Sequence, residues 1–153
     1  MPDAPFSLLD QTQWFLPLFA AMWFGIGGLL AHLGGWARLA TCFRAVAPAS
    51  GERFRFVSGS MGLRFIPVSY GSCLFVSVNE SGLHLSLFPL FRFQSPPLFI
   101  PWSRVQSVEE KTFLFTPYVV VRVRDHWPTI AVWGNAGRCI AKAFKNASSS
   151  TAL

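Results

Sequence analysis

Charged residues are scarce in this sequence. Asp, Glu, Lys and Arg together make up 13% of the 153 residues, about half of the share that is usual in soluble proteins. No charged residue lies between Asp10 and Arg38, and no Lys or Arg precedes Arg38. Because a cleaved signal peptide begins with a basic segment, the missing basic residues argue against one. The low charge favours a membrane protein or an unusually apolar globule.

Motifs of known chemistry are also missing. The three cysteines, Cys42, Cys73 and Cys139, form no C-x-x-C pair, which is typical of free thiols in a reducing compartment. The three His and three Cys have no metal-binding spacing, and no Gly-Lys-Ser/Thr follows the glycine pairs. Glu109 and Glu110 are neighbours that point to opposite faces of a strand, so they form no acid/base pair. We therefore predict no catalytic, cofactor-binding or metal-binding residue and no enzymatic activity.

A long apolar stretch lies near the N-terminus. The 24 residues from Trp14 to Ala37 carry no charge, and as a helix they would be about 36 Å long, enough to cross a hydrocarbon core of about 30 Å. Trp14 and Trp36 are placed as membrane anchors at the two interfaces would be. We predict a short tail over residues 1–13 and a transmembrane helix over residues 14–35.

The alternative is a soluble protein in which residues 14–33 form a buried core helix. Five glycines between residues 25 and 35 would each cost about 1 kcal/mol in a soluble helix, whereas a membrane helix tolerates them. Pro17 in the first turn suits the start of a helix. Small side chains would let a second copy approach, which predicts a homodimer through Ala21, Gly25 and Gly28.

The flanking charge predicts the orientation of this helix. No Lys or Arg lies on its N-terminal side, while four arginines follow it closely: Arg38, Arg44, Arg53 and Arg55. By the positive-inside rule, the large C-terminal part stays in the cytoplasm and the short tail lies outside.

Residues 36–50 read as a juxtamembrane amphipathic helix and linker. Apolar residues recur at helical spacing from Trp36 to Phe43, with Arg38 and Arg44 off that face. Such a helix lies in the headgroup region with its arginines on anionic lipid, or it packs on the following domain. Pro48 and Gly51 place the boundary near residue 50.

From residue 51 the hydrophobic period changes to two. Seven segments read as strands, and the clearest hairpin joins "CLFVSVN" to "GLHLSLF" with Gly82 supplying the turn. Phe54 and Phe56 alternate as core residues do, and His84 falls on the outward face. A core-facing helix follows, capped by Asn135. We predict an α+β domain over residues 51–148, with about seven antiparallel strands closed by a C-terminal helix, and a frayed tail over residues 149–153.

The stretch "GLHLSLFPLFRFQSPPLFIPWSRVQSV" resembles the strand pairs of bacterial pleckstrin-homology-like and GRAM-type domains. "GGWARLATCFR" before it is similar to the juxtamembrane helix of small bacterial membrane proteins that carry such a domain. The resemblance covers roughly residues 34–146 and implies a bent antiparallel sheet or barrel with one open end covered by the last helix. It implies a bacterial inner-membrane protein and no catalytic residue.

These observations predict a single-pass membrane protein with a non-catalytic cytosolic interaction or scaffolding domain. A protein partner could add a strand to an exposed sheet edge. The alternative is a module that binds anionic lipid headgroups through seven arginines: Arg38, Arg44, Arg53, Arg55, Arg92, Arg122 and Arg124. Nucleic acid would also bind arginines beside exposed aromatics, but the membrane helix and the core-like spacing of Phe54 and Phe56 argue against it.

Overall fold

The computed structural model describes residues 8–47, 50–63, 66–125 and 128–151. The sequence pattern predicts a strand at Arg64 and a turn at His126, and both residues lie outside the described ranges. The chain forms an N-terminal apolar helix, a seven-stranded antiparallel sheet and a C-terminal helix, which confirms the predicted α+β class. The elements are α1 (Leu8–Leu33), α2 (Trp36–Phe43), β1 (Glu52–Leu63), β2 (Ile66–Val78), β3 (Gly82–Leu87), β4 (Leu98–Pro101), β5 (Val105–Phe113), β6 (Thr116–Val123), β7 (Thr129–Trp133) and α3 (Asn135–Thr151).

Helix α1 begins six residues before the predicted start of the span. Pro17 therefore lies inside the helix and not in its first turn, where it would have cost least; inside a helix it removes one backbone hydrogen bond. The helix ends at Leu33, and the amides of Gly34 and Gly35, which follow it, donate to Leu30 O and His32 O at 2.8 and 3.2 Å. Gly35 has a φ of 76°, a left-handed conformation that glycine adopts without strain. The chain thus turns sharply into α2.

The seven strands form one curled sheet in the order β4-β3-β2-β1-β7-β6-β5. Every pairing is antiparallel. Strand β1 stands at the centre, pairing with β2 along its length and with β7 through Gly59 to Gly62. The sheet therefore consists of two meanders, β1 to β4 and β5 to β7, which are joined by the pairing of β1 with β7. Together they wrap around one core.

The concave face of the sheet holds the hydrophobic core. The predicted hairpin is confirmed, with Leu74 opposite Leu87 and Val78 opposite Leu83, and these inward residues are all buried. Helix α3 closes the core with Ala136, Ile140 and Ala141. It begins at Asn135, just after Gly134, and continues to Thr151, so the tail expected from residue 149 is still helical at residues 149–151.

The alternation predicted for β1 fails at Phe56. The register of β1 against β2 shifts between Phe54 and Val57, as it does where a bulge inserts an extra residue. Phe56 has a φ of 56° and is 60% exposed, while Phe54 packs against the core. Phe56 lies instead beside Phe75, with ring centroids 5.5 Å apart.

The turn between β2 and β3 is formed by Asn79, not by Gly82. Asn79 Oδ1 accepts hydrogen bonds from the amides of Ser81 and Gly82 at 3.0 and 2.8 Å, an arrangement in which an Asn side chain imitates a backbone turn. Gly82 is the first residue of β3, where β4 lies very close. A methyl group on Gly82 would come within 2.8 Å of Pro101 Cα and closer still to Ile100 O.

We expect Gly82→Ala to destabilise the domain by about 1–3 kcal/mol, because the added methyl group overpacks the β3–β4 pair. Gly71→Ala is the matched control, since no atom lies within 4 Å of a methyl group at Gly71. Chemical denaturation followed by far-ultraviolet circular dichroism measures both free energies of unfolding. Equal stability of the two variants would show that close approach of β4 does not require this glycine.

Candidate functional site

The apolar helix α1 is mostly exposed. Its Gln13–Leu33 portion has a mean hydropathy of 1.7, and only 6% of this span is buried against the rest of the chain. The large exposed side chains are Trp14, Phe15, Leu16, Leu18, Phe19, Met22, Phe24, Ile26, Leu29, Leu30 and Leu33. Helix α1 is therefore not the buried core helix of the sheet domain. By length and composition it can cross a membrane, although a signal sequence near an N-terminus has the same character.

The C-terminal half of α1 contacts the segment between β3 and β4. The rings of Trp23 and Phe91 are 5.5 Å apart, and those of Phe24 and Phe93 are 4.6 Å apart. Gln94 Nε2 donates a hydrogen bond to Phe24 O at 2.8 Å. These contacts fix the helix beside the domain.

The small residues of α1 divide between this contact and open surface. A methyl group at Gly28 would come within 3.1 Å of Gln94 Oε1. A methyl group at Gly25 would have no atom within 4 Å. Ala21 is also exposed. Of the three residues predicted to form a homodimer, Gly28 is therefore occupied by Gln94 of its own chain, and the homodimer stays a prediction.

The two tryptophans predicted as membrane anchors have different environments. Trp14 is 73% exposed on α1, whereas Trp36 at the start of α2 is 0% exposed. Trp36 Nε1 donates to Pro96 O at 2.9 Å, and its ring lies edge-on to Tyr70. The structure therefore places Trp36 in the core of the domain and not at a lipid interface. The apolar face of α2 packs on the sheet, as in the second of the two arrangements considered for this helix.

A cavity of about 690 Å³ lies on the convex side of β3 and β4. It is bounded by the chain that follows α2. There Arg44 forms an isolated antiparallel β-bridge with Leu98, and Ala45 N donates to Pro97 O. The polar side chains that line it are those of Cys42, Arg44, Ser50, Asn79, Ser81, His84 and Arg104. Two guanidinium groups and an imidazole around one cavity suit an anionic ligand.

His84 belongs to this cavity and is buried. The sequence placed it on the outward face, and the cross-strand row Arg53–Ser77–His84–Phe99 agrees with that face. Its side chain is nevertheless only 8% exposed, because the segment after α2 covers it: a ring nitrogen lies 3.4 Å from Ala47 O. No signal in β3 itself could reveal this cover.

The surroundings of His84 disfavour its protonated form. Burial is the main cause that lowers the pKa of His84 below its usual 6.5; the positive charges of Arg92 and Arg53 lower it further, while the hydrogen bond with Ala47 opposes them. Arg53 and Arg92 therefore both add positive electrostatic potential at His84. The positive potential there favours an anion over a cation.

This depressed pKa predicts a loss of stability in mild acid. Above pH 6.5 His84 is neutral in both states, so its contribution is fully present. As the pH falls below 6.5, the unfolded chain binds a proton before the folded chain does, and the free energy of unfolding decreases. We expect His84→Gln to remove this part of the decrease. Denaturation of both proteins between pH 7.5 and 5 measures it, and parallel curves would contradict the assignment.

The seven arginines do not form a single patch. Arg122 lies on β6 and Arg124 directly follows that strand, and Arg122 pairs with Thr129 of β7. Thr129 is in turn opposite Gly62 of β1. Gly62 is nine residues along β1 from Arg53, which is about 30 Å at 3.3 Å per residue. Arg122 also forms an ion pair with Glu109 at 3.5 Å. Arg44 lines the cavity, Arg53 and Arg92 act on His84 through their charges, and Arg38 and Arg55 are exposed elsewhere on α2 and β1.

Sequence reasoning missed Arg104 as a member of the cavity. It belongs to a short 3₁₀ helix, Trp102–Arg104, that follows β4. Arg104 and Arg44 line the same cavity only because the chain after α2 runs along β4. No periodic pattern in either segment could indicate that they share a cavity.

Other ionisable side chains are held in their neutral forms. Burial raises the pKa of the Cys139 thiol to about 11, and Glu52 adds to the effect through a hydrogen bond of 3.2 Å. Burial alone raises the pKa of Tyr70 to about 12. Within the described ranges, no three His, Cys, Asp or Glu side chains lie close enough to hold a metal ion. A thiolate nucleophile at Cys139 is disfavoured at neutral pH.

The sheet has edges of different character. Strand β4 has four residues, and its outer edge receives the bridge from Arg44. Strand β5 has nine residues and pairs only with β6 among the strands of the described chain. The longer edge of β5 is therefore the one to which another strand could be added.

Comparison with known proteins gives no assignment for this chain. No protein-family model matches the sequence, and no curated protein matches it.

Proposed function

We propose that this chain is a membrane-anchored protein whose curled sheet is a non-catalytic interaction module. One observation carries the proposal: an apolar helix long enough for a bilayer is exposed, while the sheet and α3 bury a core of their own. An exposed apolar surface of this size marks a contact with lipid or protein. The lack of Lys and Arg before the helix and the arginines after it support a cytoplasmic domain, and the resemblance to bacterial pleckstrin-homology-like proteins supports an inner-membrane location.

The resemblance to pleckstrin-homology-like domains fits this proposal. The curled seven-stranded sheet and its terminal helix are compatible with that fold. Fold alone does not determine function, so the interaction is assigned to a surface. That surface is the β5 edge, to which a partner protein would add one strand.

The anchor is tested by the intact mass of the chain purified from membranes. Retention of α1 gives a mass of 17.0 kDa. A chain shortened by removal of α1 would show that the helix is a cleaved signal sequence, and the proposal would fail.

The partner surface is tested by photo-crosslinking in cells. Phe113 at the end of β5 and Tyr118 in β6, which is paired on both sides, are each replaced by benzoylphenylalanine. Both replacements keep an aromatic ring. Strand addition at the β5 edge predicts a protein adduct from position 113 and none from position 118. Equal adducts at both positions, or none at either, would contradict an interaction at this edge.

A second function is favoured by the cavity around His84. Arg44, Arg104 and His84 could hold the anionic headgroup of a lipid at the membrane surface. Titration of the full chain in detergent with a short-chain phosphatidylglycerol measures this binding through the thermal midpoint. Stabilisation that weakens with added salt and is lost in Arg44→Gln supports the headgroup site. An unchanged midpoint in the unsubstituted chain would remove this candidate.

A further inference from the structure

The segment between β3 and β4 exposes a row of apolar side chains. We call residues 88–94 the aromatic loop; it has the sequence Phe-Pro-Leu-Phe-Arg-Phe-Gln. Phe88, Leu90 and Phe93 are 38%, 57% and 52% exposed. Phe88 also lies 6.3 and 6.4 Å from the rings of Phe75 and Phe56. An apolar surface of this kind in a loop marks a contact with another apolar phase.

The loop lies alongside the middle of α1 and not at its end. Its contacts to the helix fall at Trp23 and Phe24, through Phe91, Phe93 and Gln94. Nine further residues separate Phe24 from the end of α1 at Leu33, which is about 14 Å at 1.5 Å per residue. The loop therefore contacts α1 about 14 Å before the C-terminal end of the helix, which is the end that leads into the domain.

Helix length then fixes where the loop must be. Between Asp10, the last charge before the span, and the contact at Trp23 there are twelve residues, about 18 Å of helix. A hydrocarbon core is about 30 Å thick. A helix that crosses the bilayer must therefore continue in lipid for about 12 Å past Trp23, and the aromatic loop accompanies it there.

We infer that the aromatic loop inserts into the lipid beside α1 and forms a second membrane contact of the domain, with lipid acyl chains as its ligand. This inference rests on the proposed function, because it requires α1 to remain in the membrane. The loop and helix together hold the sheet in one orientation against the bilayer.

The chemistry of the loop suits this location. Lipid requires backbone groups to be satisfied internally, and a short 3₁₀ helix over Pro89–Phe91 pairs two amides of the loop. Phe91 N donates to Phe88 O at 2.8 Å, and Arg92 N donates to Pro89 O at 3.2 Å. Pro89 has no amide hydrogen to satisfy. Arg92 is the one charged residue of the loop, and its long stem lets the guanidinium extend toward the headgroups.

The test is lipid photo-crosslinking of the full chain reconstituted in phospholipid nanodiscs. Benzoylphenylalanine replaces Leu90 in the loop, Leu18 in α1, or Glu80. Glu80 is exposed in the turn at the opposite end of the β2–β3 hairpin, so it serves as the matched control outside lipid. The readout is lipid adduct detected by mass spectrometry.

Lipid adducts at positions 18 and 90, with none at position 80, are the expected result. An adduct at position 18 without one at position 90 would overturn the loop insertion and leave the anchor standing. Absence of lipid adducts at both 18 and 90 would overturn the anchor and the inference together. Equal labelling at positions 80 and 90 would overturn a specific insertion of the loop.

Discussion

Trp36→Ala is expected to lower the free energy of unfolding by about 3–5 kcal/mol, the range for removing a large aromatic side chain from a packed core. Trp36 is completely buried between α2 and the sheet. The substitution leaves a cavity beside Tyr70 and removes the hydrogen bond to Pro96 O. Chemical denaturation in a mild detergent, followed by far-ultraviolet circular dichroism, measures the change.

Trp14→Ala is the matched control for this substitution. Trp14 is 73% exposed, so its removal is expected to change the free energy of unfolding by less than about 0.5 kcal/mol. If both variants lost the same stability, or if Trp36→Ala lost none, Trp36 would not be the core residue that ties α2 to the sheet.

The double variant Leu18→Arg with Met22→Arg is expected to leave the carbonate-resistant membrane fraction. An Arg near the centre of a membrane helix costs about 2.5–3.5 kcal/mol, so the two together oppose insertion by up to about 7 kcal/mol. Both residues are exposed on α1 and lie outside the buried core. The domain should therefore still fold, which circular dichroism checks.

The control carries the same added charge on the domain. Gln106→Arg with Thr112→Arg places two arginines at exposed positions of β5. This variant should stay in the membrane fraction. Release of both variants would attribute the effect to net charge, and retention of the Leu18 and Met22 variant would show that α1 is not held in lipid.

The hairpin strands were predictable because the residues that face the core follow a local rule. Every second residue of the two hairpin strands is apolar, and the observed register places all six of these residues on the core face: Leu74, Val76, Val78, Leu83, Leu85 and Leu87. The same reasoning failed at Phe56, because a bulge adds one residue to β1 and reverses the face. A bulge leaves no mark in the alternation of Arg and Phe around it.

The candidate sites depended on contacts between distant segments, which no periodic pattern encodes. Trp36 has the position of an interfacial tryptophan in the sequence, but the turn at Gly34 and Gly35 directs it into the core. His84 is covered by a segment 37 residues away. The aromatic loop has no periodicity, and only its folded contacts, such as the hydrogen bond from Gln94 to Phe24 O, place it beside α1.

Membrane fractionation of the full chain in a bacterial host, with a reporter fused to each end in turn, determines whether α1 anchors the protein in the membrane. We expect an uncleaved chain that resists carbonate extraction, with the C-terminal reporter in the cytoplasm and the N-terminal reporter outside. A chain that carbonate extracts, or one that is released after losing α1, would contradict the membrane anchor on which the proposed function depends.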